Sequence, residues 1–195
     1  VTQTIDTHIK GLIFDSDGTL IDTMPMHYLA WLEIVHPLGG QFSEELFYEL
    51  AGVPSEKIVE IINQNSGTNL DPKVTTEHKE NLFISKYLPR AKPIAPVIDI
   101  AEAHKGKLPM AVATGGTPPV ISNALKTLGK ENFFDAVVTA ADVKHGKPAP
   151  DTFLEAARRL GVEPQYCQVF EDSEAGLEAA RRAGMVATDI RPWLK

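Results

Sequence analysis

The sequence holds a single cysteine, Cys167, in 195 residues. One cysteine cannot close an intramolecular disulfide, so a reducing, cytoplasmic setting is expected. Cys167 lies in the apolar run CQVF and reads as a small core residue rather than a nucleophile. Long apolar runs are also missing: none nears the roughly 20 residues of a membrane span. The first ten residues, VTQTIDTHIK, have neither the basic nor the apolar block of a signal peptide. The chain begins at Val1 rather than Met, so a few native residues are expected to precede it. Basic residues are in deficit, 19 Lys and Arg against 26 Asp and Glu, for a formal net charge of -7. That balance argues against a general surface for nucleic acid or an anionic membrane. It leaves room for an anionic substrate, because a local site can oppose the global charge.

What is present is ordinary for a soluble domain: 43% hydrophobic and 23% charged residues. The length suits one domain with a modest insertion and is enough to bury a core. Short apolar runs alternate with helical patterns, which predicts an α/β fold around a parallel sheet. Strands are expected at 11–15, 110–114, 136–139, 167–171 and 186–190, and helices at 119–129, 151–161 and 173–184. Residues 23–90 carry almost no strand signal and four helical patterns. A connection that long is too large for a simple crossover and reads as a small helical cap inserted into the core. Pro89, Pro93 and Pro96 fit a hinge back into that core.

Three of the expected strands end in polar groups: GLIF at Asp15, MAVA at Thr114 and CQVF at Glu171 and Asp172. In an open parallel sheet, ligands bind beyond the carboxyl ends of the strands, so these groups are expected to converge. Asp15 and Asp17 would then belong to one site, with Gly18 letting the chain turn sharply. A calcium loop fits poorly: the glycine falls at loop position four instead of six, and Met26 stands where a bidentate Glu is wanted. Clustered Asp15, Asp17 and Asp172 suit a hard cation, Mg²⁺, which would relieve their repulsion and draw in a phosphate. One carboxylate could then act as a covalent nucleophile and another as acid and base. In ATGGTPPVI, Thr117 reads as a helix N-cap and Pro118 as the first helical residue. The turn at Thr114, Gly115 and Gly116 would aim a hydroxyl and backbone N–H groups at an anion. In KHGKPAPDTF, Lys147 precedes a stiff loop and could neutralise a transferring phosphoryl group, with Lys144 and His145 as rivals. Glu171 and Asp172 could also simply complement a helix N-terminus. Trp31 reads as cap core.

Taken in order, FDSDGTL, ATG, GKPAPD and FEDSEAG resemble the four motifs of the haloacid dehalogenase superfamily of phosphotransferases, over essentially the whole chain. The resemblance implies a Rossmann-like three-layer core, residues 1–22 and 91–195, with a small helical cap at 23–90 that closes over the substrate. It implies Asp15 as the phosphorylated nucleophile, and Asp17 as general acid and base with its backbone carbonyl on Mg²⁺. It further implies Thr114 with Gly115 and Gly116 as phosphoryl holders, Lys147 as the bridge between nucleophile and phosphate, and Asp172 with Glu171 at the metal. The aspartate at 17 points to phosphate esters, not dehalogenation. TLIDTMPMHYLAW and AGVPSEKI are similar to the β-phosphoglucomutase-like branch, and the core segments look most like its small bacterial fructose-1-phosphate and 6-phosphogluconate phosphatases. By that resemblance Thr23, His27, Gly52 and Lys79 are cap residues that meet the substrate or help gate the acid/base. The mutases carry an arginine just past the GV of the cap loop; here Pro54 and Ser55 follow Gly52 and Val53. A bisphosphate intermediate needs a strong second phosphate site, so its absence favours a phosphatase over a mutase. A non-catalytic phosphate sensor is the remaining alternative. The expected partner is a small phosphorylated sugar or sugar acid, with no nucleic acid and no membrane. The chain is expected to be a monomer, at most a weak homodimer.

Overall fold

The computed structural model describes residues 5–194. Its strands are β1 (Gly11–Phe14), β2 (Ile21–Asp22), β3 (Lys92–Pro93), β4 (Met110–Ala113), β5 (Ala136–Val138), β6 (Cys167–Glu171) and β7 (Val186–Asp189). Its α-helices are α1 (Met24–Val35), α2 (Glu44–Glu49), α3 (Ser55–Ser66), α4 (Pro72–Leu82), α5 (Ala95–His104), α6 (Pro118–Thr127), α7 (Asp151–Leu160) and α8 (Glu174–Arg182). Contacts divide the chain into two units, Val1–Asp22 with Lys92–Lys195, and Thr23–Ala91.

The first unit is built on a five-stranded sheet in the order β5-β4-β1-β6-β7, with every neighbouring pair parallel. The three central strands are buried along their length, as parallel strands covered on both faces must be. This is the α/β parallel-sheet arrangement the alternation of patterns predicts, and the Rossmann-like core the resemblance implies. Helices α7 and α8 turn small residues inward: Ala156, Ala157, Ala179 and Ala180 pack with Ile13, Val138, Phe153, Cys167 and Val169 in one apolar cluster. Alanine faces let a helix axis approach the sheet closely. Cys167 is accordingly a buried core residue. A short antiparallel pair, β2 with β3, joins the two points where the chain leaves this unit and returns to it.

Four expected strands stop one residue early. At Asp15 and Thr114 the reason is visible. Each still donates its backbone N–H to the neighbouring strand, Asp15 to Phe170 O at 3.0 Å and Thr114 to Val138 O at 3.0 Å. Each then turns out of the ladder with its polar side chain beyond the sheet's carboxyl edge. The prolines lie around the Ala91/Lys92 boundary between the units, where the chain was expected to return to the core, and a helix the patterns did not predict, α5, follows. Pro96 sits in the first turn of α5, where its missing N–H has no intrahelical partner to lose, and Pro93 lies in β3.

The second unit is helical, with no strand among its described residues. Helices α1 to α3, with Phe42 just before α2, gather Trp31, Val35, Phe42, Phe47, Ile58, Val59 and Ile62 into a core of their own. Trp31 is 1% exposed, as a core residue should be. Ser43 and Asp71 cap α2 and α4 by accepting from Leu46 N (3.2 Å) and Val74 N (2.8 Å).

Candidate active site

Parallel pairing of β1 with β6 aligns Phe14 with Phe170. The next residue on each strand line is therefore a carboxylate, Asp15 beside Glu171, both buried. Lys147 comes in from the loop before α7. Its side chain is 6% exposed, and its Nζ donates to Asp15 Oδ1 at 2.6 Å and to Glu171 Oε2 at 2.7 Å. Of the three cationic candidates in that loop, Lys147 is the one that meets the carboxylates. His145 pairs instead with Asp151 at the surface, 3.0 Å away, and Lys144 is exposed.

Asp172 is held by the turn that follows β1. Thr19 Oγ1 donates to Asp172 Oδ1 at 2.8 Å. Gly18 has φ +80°, and a Cβ there would lie 2.2 Å from Asp172 Oδ2. The glycine is required twice, for its backbone conformation and for the close approach of a carboxylate. Glu171 is clamped from its other side. Its Oε1 accepts from Ser173 N (3.1 Å) and Ser173 Oγ (2.6 Å), and Ser173 Oγ in turn accepts from Gly176 N (3.0 Å) at the start of α8. A Cβ at position 176 would fall 2.1 Å from Glu171 Cδ, so only glycine lets this side chain lie against the helix.

Asp15, Glu171 and Asp172 each offer an oxygen, and the three oxygens lie within 4.8 Å of one another. One ammonium does not balance three carboxylates at that distance. Burial, then the charge of Glu171, push the Asp15 carboxyl well above its usual range despite the Lys147 ion pair. Burial and Glu171 likewise push Asp172 up to about 7. For Lys147, burial works against the charged form, but Asp15 and Glu171 outweigh it and raise its pKa. An all-oxygen donor set with surplus negative charge is what a hard divalent cation fits. The side chain of Asp17 is not in this group; its carboxylate lies beside the turn after β4, with Oδ2 3.5 Å from where a Gly116 Cβ would stand. In that turn Thr114 is 2% exposed, and its Oγ1 accepts from Gly116 N at 3.1 Å. Gly115 is exposed. Thr117 holds the N-cap position of α6 and Pro118 opens the helix.

The four cap residues lie in the helical unit. Thr23 is fully buried at the N-cap of α1, where its carbonyl accepts from His27 N at 2.8 Å. Gly52 lies in the turn after α2 with φ +87°. Lys79, only 4% exposed, places its Nζ 2.8 Å from His27 Nδ1 and 5.2 and 5.5 Å from the ring centroids of Trp31 and Phe83. His27 stacks on Phe83, centroids 3.7 Å apart. Two ring faces favour the charged ammonium, which has only protons to give. A charged Lys79 would donate to Nδ1 of His27.

Sequence reading missed Thr19, Ser173 and Gly176. Thr19 and Ser173 stand inside motifs already singled out, so their positions were visible but their partners were not. No helix is long and apolar enough to cross a membrane among the described residues.

A model of the haloacid dehalogenase-like hydrolase family matches residues 12–189. The chain belongs to that family. It is 43% identical over 181 residues to the fructose-1-phosphate phosphatase YqaB of Escherichia coli, covering 93% of this chain and 96% of that one. It is 32% identical over 193 residues to the β-phosphoglucomutase of Bacillus subtilis, covering 93% and 83%. Among solved structures, CbbY from Rhodobacter sphaeroides in complex with phosphate superposes with a TM-score of 0.81 at 27% identity, over 92% of this chain and 84% of that one. The chain is thus an enzyme of the haloacid dehalogenase-like hydrolases, of β-phosphoglucomutase-like kind.

Proposed function

We propose that the protein is a cytoplasmic, Mg²⁺-dependent phosphatase of small sugar phosphates, with fructose 1-phosphate as the preferred class of substrate. The observation that carries the reading is the Lys147 bridge between Asp15 and Glu171 inside a cluster of three carboxylates. Asp15, Asp172 and the backbone carbonyl of Asp17 would hold the cation, with Glu171 supporting the site. When bound, the cation supplies positive charge that draws in the phosphate and offsets the carboxylate repulsion.

Asp15 is the nucleophile: its carboxylate attacks phosphorus, and the phosphoester bond to the sugar breaks as an aspartyl phosphate forms. Asp17 gives its proton to the leaving sugar oxygen, then takes one from the water that hydrolyses the aspartyl phosphate. Lys147 stabilises the charge on the transferring oxygens. Thr114 Oγ1 and the N–H groups of Gly115 and Gly116 orient them. Thr23, His27, Gly52 and Lys79 are assigned to the sugar end, where they select the substrate.

The test is phosphate release with Mg²⁺ from fructose 1-phosphate, 6-phosphogluconate and β-glucose 1-phosphate, with Asp15→Asn as the control. Release fastest from fructose 1-phosphate, and abolished by the substitution, is the expected result. Formation of glucose 6-phosphate dependent on a bisphosphate primer would replace this reading with a mutase. Binding of the sugar phosphates without any turnover would replace it with a sensor.

A further inference from the structure

We infer that Phe153 is a positioning residue for Lys147, holding the ammonium through the face of its ring. The inference deepens the proposed phosphoryl transfer and rests on it. The Phe153 ring centroid lies 4.8 Å from Lys147 Nζ. Phe153 is fully buried in the first turn of α7, locked among Ile13, Ala113, Val138 and Val169.

An ammonium has three protons. Two directions are taken by Asp15 Oδ1 and Glu171 Oε2. With the side chain 6% exposed, water is in short supply for the remaining side of the charge. A leucine or methionine under it would be an apolar wall against a buried cation, which is costly. The negative face of an aromatic ring is not.

The chemistry gives this contact a specific use. When Asp15 becomes phosphorylated, its carboxylate becomes a neutral acyl linkage and the negative charge moves to the phosphoryl oxygens. An ion pair made only with Asp15 would loosen at that moment. The ring's attraction does not titrate and does not change during turnover. Together with Glu171, which Ser173 and Gly176 hold in place, it fixes Lys147 through both half-reactions. It also lacks the sharp directionality of a third hydrogen bond, so the ammonium can tilt toward the transferring oxygens.

The test replaces Phe153 with phenylalanines carrying one, two and three ring fluorines, which weaken the negative face stepwise and barely change shape. Phe153→Leu serves as the aliphatic end point. Two quantities are read with Mg²⁺ present: turnover of p-nitrophenyl phosphate, and affinity for beryllofluoride, which mimics the phosphoryl group on Asp15 and needs no turnover. Thermal stability is followed in parallel. The expected result is a stepwise fall in kcat reaching about tenfold, or about 1.4 kcal/mol, with KM within about twofold, a parallel loss of beryllofluoride affinity, and a melting temperature that falls only slightly along the fluorinated series, leaving the enzyme fully folded at the assay temperature. If kcat and beryllofluoride affinity stay flat along the series, and Phe153→Leu loses activity only in proportion to its stability, the ring is packing and the inference is overturned. A wild-type enzyme that turns over p-nitrophenyl phosphate but no sugar phosphate would sink the sugar-phosphate reading and leave the series to decide this one. Were the wild type to turn over nothing, the beryllofluoride affinities alone would decide.

Discussion

Two buried lysines, one in each unit, are held in opposite ways. Lys147 sits among carboxylates, with Asp15 and Glu171 within 2.7 Å and Phe153 beneath it. Lys79 sits against His27 Nδ1 and the faces of Trp31 and Phe83. Burying an ammonium is expensive in either place, and each unit answers with a different partner. Carboxylates strengthen the charge and lock its direction, which suits a group that must meet the same phosphoryl oxygens in every cycle. An imidazole nitrogen and two ring faces hold the ammonium there through a hydrogen bond and cation–π contacts. Under the proposed function, the core lysine would serve the chemistry common to all substrates, and the cap lysine the choice among them.

Lys147→Met gives the largest expected effect that bears on this contrast. It removes the charge while keeping most of the volume, and kcat should fall by about 10² to 10³ on every phosphomonoester, sugar or not. Equal retention of activity on p-nitrophenyl phosphate would break the assignment. Gly176→Ala comes next. The added methyl would lie 2.1 Å from Glu171 Cδ. The Glu171 carboxylate must then leave Lys147 or α8 must shift, so a loss of about 1–3 kcal/mol in stability is expected, with a fall in kcat beyond what unfolding explains. Denaturant melts and kcat on the folded protein separate the two. Lys79→Met should cost less and cost selectively. The kcat/KM for fructose 1-phosphate should drop about tenfold, with p-nitrophenyl phosphate nearly unaffected. A Lys79→Met enzyme impaired equally on both would mean that the two lysines share one task.

The same contrast separates what was legible from what was not. Asp15 and Asp172 could be read because each follows an apolar strand. A carboxylate at the end of a buried parallel strand loses hydration, and a ligand beyond the sheet's edge is what offsets that loss. The α/β order could be read from the alternation of short apolar runs with helical patterns. Lys147 could be read from the GKPAPD motif, but the local pattern alone left Lys144 and His145 as rivals. The ranking comes from the pairing of β1 with β6, which sets Glu171 beside Asp15 and gives Lys147 two partners at once. The Gly176 requirement was hidden too, since it depends on where the Glu171 side chain lies against α8. Helix α5 was not expected, although Val97, Ile98, Ile100 and Ala101 carry a helical apolar face, because it is short and opens on a proline just past the unit boundary. In the cap, His27 and Lys79 are 52 residues apart, and only the packing of α1 against α4 joins them.

An ion pair at the surface sets the scale for both buried lysines. Arg159 Nη2 meets Asp142 Oδ1 at 2.6 Å with the side chains 29% and 28% exposed. The Arg159 hydrogen bond, then those from Thr139 N and Oγ1, hold the Asp142 carboxyl down at about 2 from its ordinary 3.8. A depressed folded-state pKa contributes stability that is complete above the unfolded value and is lost as pH falls through the folded one. The contribution should therefore be intact at pH 7, begin to fade below about pH 5 and be gone only at about pH 1. Because water reaches the pair, it is expected to amount to about 1 kcal/mol or less. Asp142→Asn keeps an acceptor for Thr139 and removes the charge. The melting-temperature gap between wild type and variant should be small at pH 7, narrow between about pH 5 and pH 1, and shrink further in high salt. A gap that stays constant with pH would mean that Asp142 acts through its hydrogen bonds to Thr139 rather than through its charge. Activity should be unchanged at pH 7 in either case, the opposite of what each buried lysine predicts, because nothing in this pair is desolvated enough to shape the chemistry.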